Sequence, residues 1–294
     1  MSETVKIISP IDGSVYAERP TARDAEIEAA VSAARAALLE WRTVPVAERA
    51  RYMLAFLDAL LAMNDEIAVE LAWQMGRPVR YGGEKGSVED RVRGMVALAE
   101  EALKPYYPPE KAGFRRYVAR EPLGLVLVVA PWNYPYLTSI NTIVPGLLAG
   151  NAVILKHAAQ TLLVGERIAE AFKRAGLPNG LFQNLVMSHG QTEKLIGSSR
   201  IDHVAFTGSV GGGRAIERAV AGTFASTGLE LGGKDPAYVR ADAKLDHAIE
   251  NLVDGSFFNS GQSCCGVERI YVDALVFDDF VEGFAALTRQ YVVG

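Results

Sequence analysis

The chain of 294 residues holds two cysteines, and they stand side by side, Cys264 and Cys265, in the stretch FFNSGQSCCGVER from Phe257 to Arg269. A thiolate is the strongest nucleophile a side chain offers near neutral pH, and it forms where backbone N–H groups or positive dipoles stabilise it. Gly261, between Ser260 and Gln262, lets the backbone turn tightly beneath a side chain presented to a cleft. Neighbours on the chain cannot reach ordinary bridge geometry, so the pair is not a disulfide staple. The four histidines, His157, His189, His203 and His247, are dispersed, with no CxxC or HxxxH spacing, and no metal is expected. On spacing alone, two buried small apolar cysteines remain the simpler reading.

A nucleophilic cysteine needs partners. Glu230, in LELGGKDP, is an acid before two glycines, in a setting that reads as apolar and suited to a general base; an isolated glutamate at a strand end is also ordinary. Asn133, in APWNYP, offers a neutral amide N–H just past a strand end, which suits an oxyanion, although Asn before an aromatic and Pro is common turn chemistry. Lys156 closes an apolar run and could hold a hydroxyl or a phosphate, or snorkel to solvent. Ser209 follows Thr207 and Gly208 and opens a helix, a place for a pyrophosphate or simply an N-cap. No G-x-G-x-x-G occurs, so a dinucleotide site of the ordinary Rossmann kind is not supported.

These residues need elements to position them. The first hundred residues read as helix after helix, beginning with Thr21 as the N-cap of DAEIEAAVSAARAALLEW, whose Ile27, Val31, Ala34 and Leu38 recur at helical spacing. Pro45 restarts a second helix, and a third runs from Ser87, with Ser87 and Asp90 in capping-box spacing. From Gly124 the pattern changes. LVLVVA, NAVILK, LFQNLV and HVAFTG are short apolar runs alternating with helical segments, which predicts right-handed crossovers and a parallel sheet with helices on both faces. Ligands of such sheets sit at the carboxyl ends of the strands, where Trp132, Asn133, Lys156, Gly208 and Ser209 fall. The proline-rich stretch at about 104–122, with Phe114, Tyr117 and Val118, predicts a small projecting hairpin that serves assembly. After Gly228 come LELGG, the run DPAYVR, a helix from Lys244 to about Phe258, the cysteine turn, the strand RIYVD and a helix from Val276. The expected division is therefore 1–228 and 229–294.

Bulk properties exclude several classes. A formal net charge of -5, with Lys and Arg scattered singly, leaves no electrostatic footprint for nucleic acid or an anionic membrane. No apolar run approaches the length of a membrane span, and the N-terminus lacks the pattern of a secretory signal, so a cytoplasmic protein is expected.

Taken together and in order, APWNYP, GNAVILK, FTGS, LELGGK and FFNSGQSC resemble the NAD(P)-dependent aldehyde dehydrogenase superfamily, as does the interval of 34 residues between Glu230 and Cys264. The resemblance covers the whole chain. It implies an α/β fold with a parallel-sheet cofactor domain, flanking helices and the beginning of a second α/β catalytic domain. It further implies Cys264 as nucleophile, with Cys265 a bystander, Asn133 and the Cys264 amide as oxyanion hole, and Glu230 as activator of the deacylating water. Lys156 would hold the cofactor's ribose and Gly208 and Ser209 would lie near its pyrophosphate, while Trp132 and Leu231 would complete the cofactor site. The reaction implied is oxidation of a small-molecule aldehyde to an acid, with NAD or NADP, in a homodimer or homotetramer.

Two departures qualify these expectations. The acid that follows the ribose-site lysine in most relatives is missing from Lys156-His157-Ala158-Ala159-Gln160, which removes one reason to exclude NADP. Relatives also continue well beyond Gly294, so the chain is expected to hold the cofactor domain and about the first third of the catalytic one. An alternative reading is accordingly a non-catalytic nucleotide-binding or interaction module.

Overall fold

Two short strands precede the helices: Thr4–Ile8 (β1) pairs antiparallel with Val15–Pro20 (β2). The computed structural model describes residues 3–292. Four helices follow, Asp24–Trp41 (α1), Val46–Leu61 (α2), Asn64–Met75 (α3) and Lys85–Leu103 (α4). The α1 stripe of Ile27, Val31, Ala34 and Leu38 is buried, as its spacing predicts.

Two helix starts differ from expectation. Arg23, not Thr21, is the N-cap residue of α1, because Glu26 reaches back and accepts the Arg23 backbone N–H at 2.7 Å. Thr21 is buried and donates its own N–H to the Glu3 carbonyl. Helix α4 begins ahead of Ser87, because Glu84 adopts a left-handed φ of 64° as N-cap residue and its carbonyl accepts the Val88 N–H at 3.0 Å. Ser87 therefore lies inside the first turn and caps nothing.

The segment at about 104–122 is held by two isolated antiparallel bridges, Tyr106 with Val118 and Lys111 with Phe114, and exposes Tyr106, Tyr107, Phe114 and Tyr117. Beyond it the chain alternates Leu125–Val129 (β3), Pro135–Leu148 (α5), Ala152–Lys156 (β4), Leu162–Arg174 (α6), Phe182–Asn184 (β5), His189–Gly197 (α7), His203–Thr207 (β6), Val210–Val220 (α8) and Ser226–Glu230 (β7). All five of these strands are parallel, in the order β5-β4-β3-β6-β7. Strands β3 and β4 are buried at every position, which is why they read as unbroken apolar runs. From β3 the chain builds outward through β4 to β5, then returns to add β6 on the other side. The switch in strand order thus falls between β3 and β6, the position at which open parallel sheets take their ligands.

This first compact unit ends at Glu230, and a second begins at Leu231. The second contains Asp235–Val239 (β8), Leu245–Phe257 (α9), Val267–Val272 (β9) and Phe277–Thr288 (α10), with β8 and β9 parallel. Val239, Ile249, Val253 and Phe280 form its small core. Among the described residues no helix is long and apolar enough to cross a membrane.

Candidate active site

Parallel pairing aligns the carboxyl ends of the sheet strands, and backbone hydrogen bonds tie the candidate residues of the first unit together in pairs. Val129 pairs with Lys156 in the register of β3 and β4, and just beyond it the Ala130 N–H donates to the Lys156 carbonyl at 3.1 Å. Trp132 and Asn133 follow at once, the indole 42% exposed and Asn133 half-buried. On the other side of the switch, Thr207 pairs with Glu230, and the Gly208 N–H donates to the Glu230 carbonyl at 2.9 Å. Trp132, Asn133, Lys156, Gly208, Ser209 and Glu230 therefore share one rim of one sheet.

The rim residues differ in character. Lys156 is buried, and desolvation lowers the pKa of its ammonium, so the site favours a partner that restores hydrogen bonds to it. A cleft beside it is lined by Ala159, Ser188 and His189, and also by Glu3 from the chain's first strand region. The next residue, His157, is buried and pushed down to about 4 by desolvation, so it is neutral at physiological pH. Its Nε2 lies 3.3 Å from the Pro135 carbonyl, which can only accept; Nε2 therefore carries the proton, and Nδ1 accepts from the Thr161 hydroxyl at 3.1 Å.

Ser209 is the N-cap of α8, its Oγ accepting the Gly212 N–H at 3.1 Å. The glycines around it have a packing reason of their own, since a Cβ on Gly208 or Gly212 would meet the Phe206 ring at 2.7 or 2.5 Å. The helix start thus carries no side chains at Gly211, Gly212 and Gly213; the Gly212 and Gly213 N–H groups donate to the Ser209 hydroxyl and carbonyl, and Gly211 is exposed. Glu230 ends β7 with its side chain exposed, rather than in the apolar setting its neighbours suggest.

In the second unit, Leu231 leads into the glycine pair ahead of β8 and is partly buried. The cysteine turn joins α9 to β9. Asn259, Ser260 and Gly261 take left-handed φ of 53°, 59° and 73° in succession, a backbone path that reverses direction within a few residues. Asn259 is fully buried and its amide donates to the Gln262 carbonyl at 3.3 Å. Gly261 was legible as the turn residue, whereas the two non-glycine partners were not.

Both cysteines are free and exposed. Even so, partial desolvation by the turn pushes the Cys264 thiol up, and the neighbouring Cys265 adds to that shift. Cys265 itself lies against the Ser263 hydroxyl, with 3.2 Å between Sγ and Oγ. Parallel pairing sets Asp235 opposite Val267, so the entrances of β8 and β9 run side by side. This brings Gly233, one segment of the sequence pattern, against the backbone of Cys264, another.

Sequence reasoning missed Glu84 and Arg77, both buried next to the start of α5. Glu84 Oε2 accepts the Leu137 N–H at 2.7 Å, and burial pushes the carboxyl up to about 7. No periodicity or motif marks either residue.

Comparison with known proteins places these features in a family. The model of the aldehyde dehydrogenase family matches residues 1–294. The chain is 33% identical to succinate-semialdehyde dehydrogenase [NADP(+)] 1 of Mycobacterium tuberculosis (strain ATCC 25618 / H37Rv), over 99% of its own length and 64% of that protein's. It is 35% identical to geranial dehydrogenase of Castellaniella defragrans, over 94% of its length and 58% of the relative's. Among solved structures, an NAD-dependent benzaldehyde dehydrogenase from Corynebacterium glutamicum superposes with a TM-score of 0.92 at 30% identity, covering 99% of this chain and 65% of that one. The chain thus spans less than two thirds of the length of these relatives. With its parallel sheet, its rim residues and its cysteine turn all lying inside the matched span, the chain belongs to the aldehyde dehydrogenase family.

Proposed function

We propose that the protein oxidises an aldehyde to a carboxylic acid with NAD or NADP, using Cys264 as nucleophile, Asn133 as oxyanion donor and Glu230 as base for the deacylating water. The observation that carries this reading is the family match, which runs through all five sequence segments. The mycobacterial relative is named for NADP and the corynebacterial one for NAD, and both cofactors fall within the proposal.

The residues of the first unit fit a dinucleotide. Lys156, a buried ammonium beside a cleft, would hold ribose hydroxyls, and the glycine-rich start of α8 behind Gly208 and Ser209 would face the pyrophosphate. Trp132 and Leu231 would line the remainder of the site. When bound, the nicotinamide supplies the hydride acceptor.

The chain's own residues do the rest. The raised pKa of Cys264 keeps the resting sulfur protonated, and loss of that proton to solvent yields the thiolate. The sulfur bonds to the aldehyde carbon, and the C=O electron pair moves onto oxygen, where the Asn133 amide N–H meets the charge. Departure of hydride from that carbon leaves a thioester on Cys264. Glu230 then takes a proton from water, the oxygen adds to the acyl carbon, and the thiolate leaves as the acid is released. Assembly as a homodimer or homotetramer and a cytoplasmic setting belong to the same reading.

Formation of reduced cofactor with a panel of aldehydes tests it, comparing the wild type with Cys264→Ala. Turnover that falls by about 10³-fold or more in the variant is expected; equal rates overturn the nucleophile assignment. Cofactor binding without turnover in the wild type would instead favour a nucleotide-binding module.

A further inference from the structure

We infer that Glu84 is a positioning residue for the Trp132–Asn133 segment: its buried carboxylate closes the first turn of α5 and thereby fixes the loop that carries the proposed oxyanion donor. The inference rests on the function proposed above for Asn133.

A helix presents N–H groups without partners in its first turn, and the N-cap side chain normally satisfies one of them. In α5 the N-cap residue is Tyr134, whose side chain makes no capping hydrogen bond, and Pro135 occupies the first helical position. The amides left over are those of Tyr136 and Leu137. Glu84, 53 residues earlier than Leu137, serves them: Oε2 accepts the Leu137 N–H at 2.7 Å, and the Tyr136 N–H is a further hydrogen-bond partner of the carboxyl.

Glu84 is held for this task from several sides. It is 4% exposed and sits at the left-handed turn that starts α4. Arg77, 5% exposed, lies in favourable electrostatic contact with it, donates from Nε to the Gly82 carbonyl at 3.1 Å and stands 5.9 Å over the Tyr134 ring. His157 donates to the Pro135 carbonyl in the same segment. Residues 134 to 137 are therefore clamped by Arg77, Glu84 and His157, and Asn133 is the next residue upstream.

The choice of residue is informative. A carboxylate in an apolar interior is costly, and an apolar side chain of the same volume would fill the space at less cost. Glu84 Oε1 and the Tyr136 hydroxyl are both buried without a hydrogen-bond partner among the described residues, which adds to that cost. What a carboxylate supplies and an apolar group does not is an acceptor for two adjacent amides at the positive end of a helix.

Glu84→Met keeps the volume and removes both the acceptor and the buried charge, while Glu84→Gln keeps an acceptor. Hydrogen exchange at the amides of Tyr136 and Leu137 is expected to accelerate by about tenfold in Glu84→Met and to stay near wild type in Glu84→Gln. Aldehyde turnover should show kcat lowered by about tenfold or more in Glu84→Met, cofactor KM unchanged, and recovery in Glu84→Gln. Unchanged exchange overturns the inference, as does exchange raised equally throughout the sheet. Faster exchange with unchanged kcat shows a cap that positions nothing, and overturns it too. If the wild type turns over no aldehyde, the proposed function fails, and exchange across residues 132–137 still decides whether Glu84 holds the segment.

Discussion

Gly233 stands so close to Cys264 that a Cβ placed on it would meet the Cys264 carbonyl oxygen at 3.0 Å. The contact is backbone to backbone and follows from the parallel pairing of β8 with β9. Gly233→Ala should therefore displace the cysteine turn by a few tenths of an ångström or more. The expected outcome is a kcat lowered by about 10- to 100-fold, as for a misplaced reacting atom. Thermal unfolding should shift little, because Gly233 is exposed. Steady-state kinetics beside a melting curve checks both; wild-type kcat would mean that the turn absorbs the methyl group.

Cys265 is a bystander in the proposed chemistry, yet it raises the pKa of Cys264. Activity limited by the thiolate should rise with pH along an alkaline limb. Cys265→Ala removes one contributor to that shift, so the limb is expected to move to lower pH with little change in its plateau. The pH dependence of kcat/KM measures this. A limb that does not move assigns the shift to desolvation alone.

Lys156→Met removes the buried ammonium at the end of β4 and keeps most of its volume. Cofactor affinity should fall by about 10- to 100-fold, the scale of a charge-assisted hydrogen bond lost from a desolvated site. The fold should be retained or slightly stabilised, because the cost of burying the charge disappears with it. Titration with NAD and with NADP reads the effect, and also shows which of the two the cleft with Ala159 prefers.

Two buried groups pull stability in opposite directions with pH. Glu84, faced by Arg77 and Tyr136, is raised from 4.5 to about 7, so the folded state holds its proton longer and stability falls as pH rises through that interval. His157, faced by Lys156 and Thr161, is lowered from 6.5 to about 4, so the folded state resists protonation and stability falls as pH drops through that one. Each effect is worth about 3 kcal/mol at its limit, and across pH 4.5 to 6.5 they offset one another. Glu84→Gln should uncover the histidine alone, giving a Tm that rises between about pH 4 and 6.5 where the wild type is nearly flat. Differential scanning calorimetry over that range decides the matter.

Much of this architecture could be read from residue order, for a physical reason. LVLVV and AVILK lie buried on both faces, so every position up to the terminal Lys156 is apolar, and the strands announce themselves. The edge strand Ser226–Glu230 is half exposed and contains Ser, Thr and Gly, so nothing in its composition marks it. Thr21 and Ser87 have the chemistry of N-caps, but the Glu26 side chain reaching back to Arg23 fixes one helix start and the left-handed backbone of Glu84 the other. The rim residues were legible because strand ends punctuate sharply at Pro131, Lys156 and Gly208. Glu84 was not, since its importance comes from burial against a helix 53 residues further on.

The turn ahead of Cys264 has a consequence for stereochemistry. Ser260 holds a φ of 59°, a conformation that an L-residue visits reluctantly and that its mirror image adopts by default. A semisynthetic protein with D-alanine at this position should fold at least as well as one with L-alanine there. The path of the chain beneath the sulfur would then be set by chirality as well as by packing.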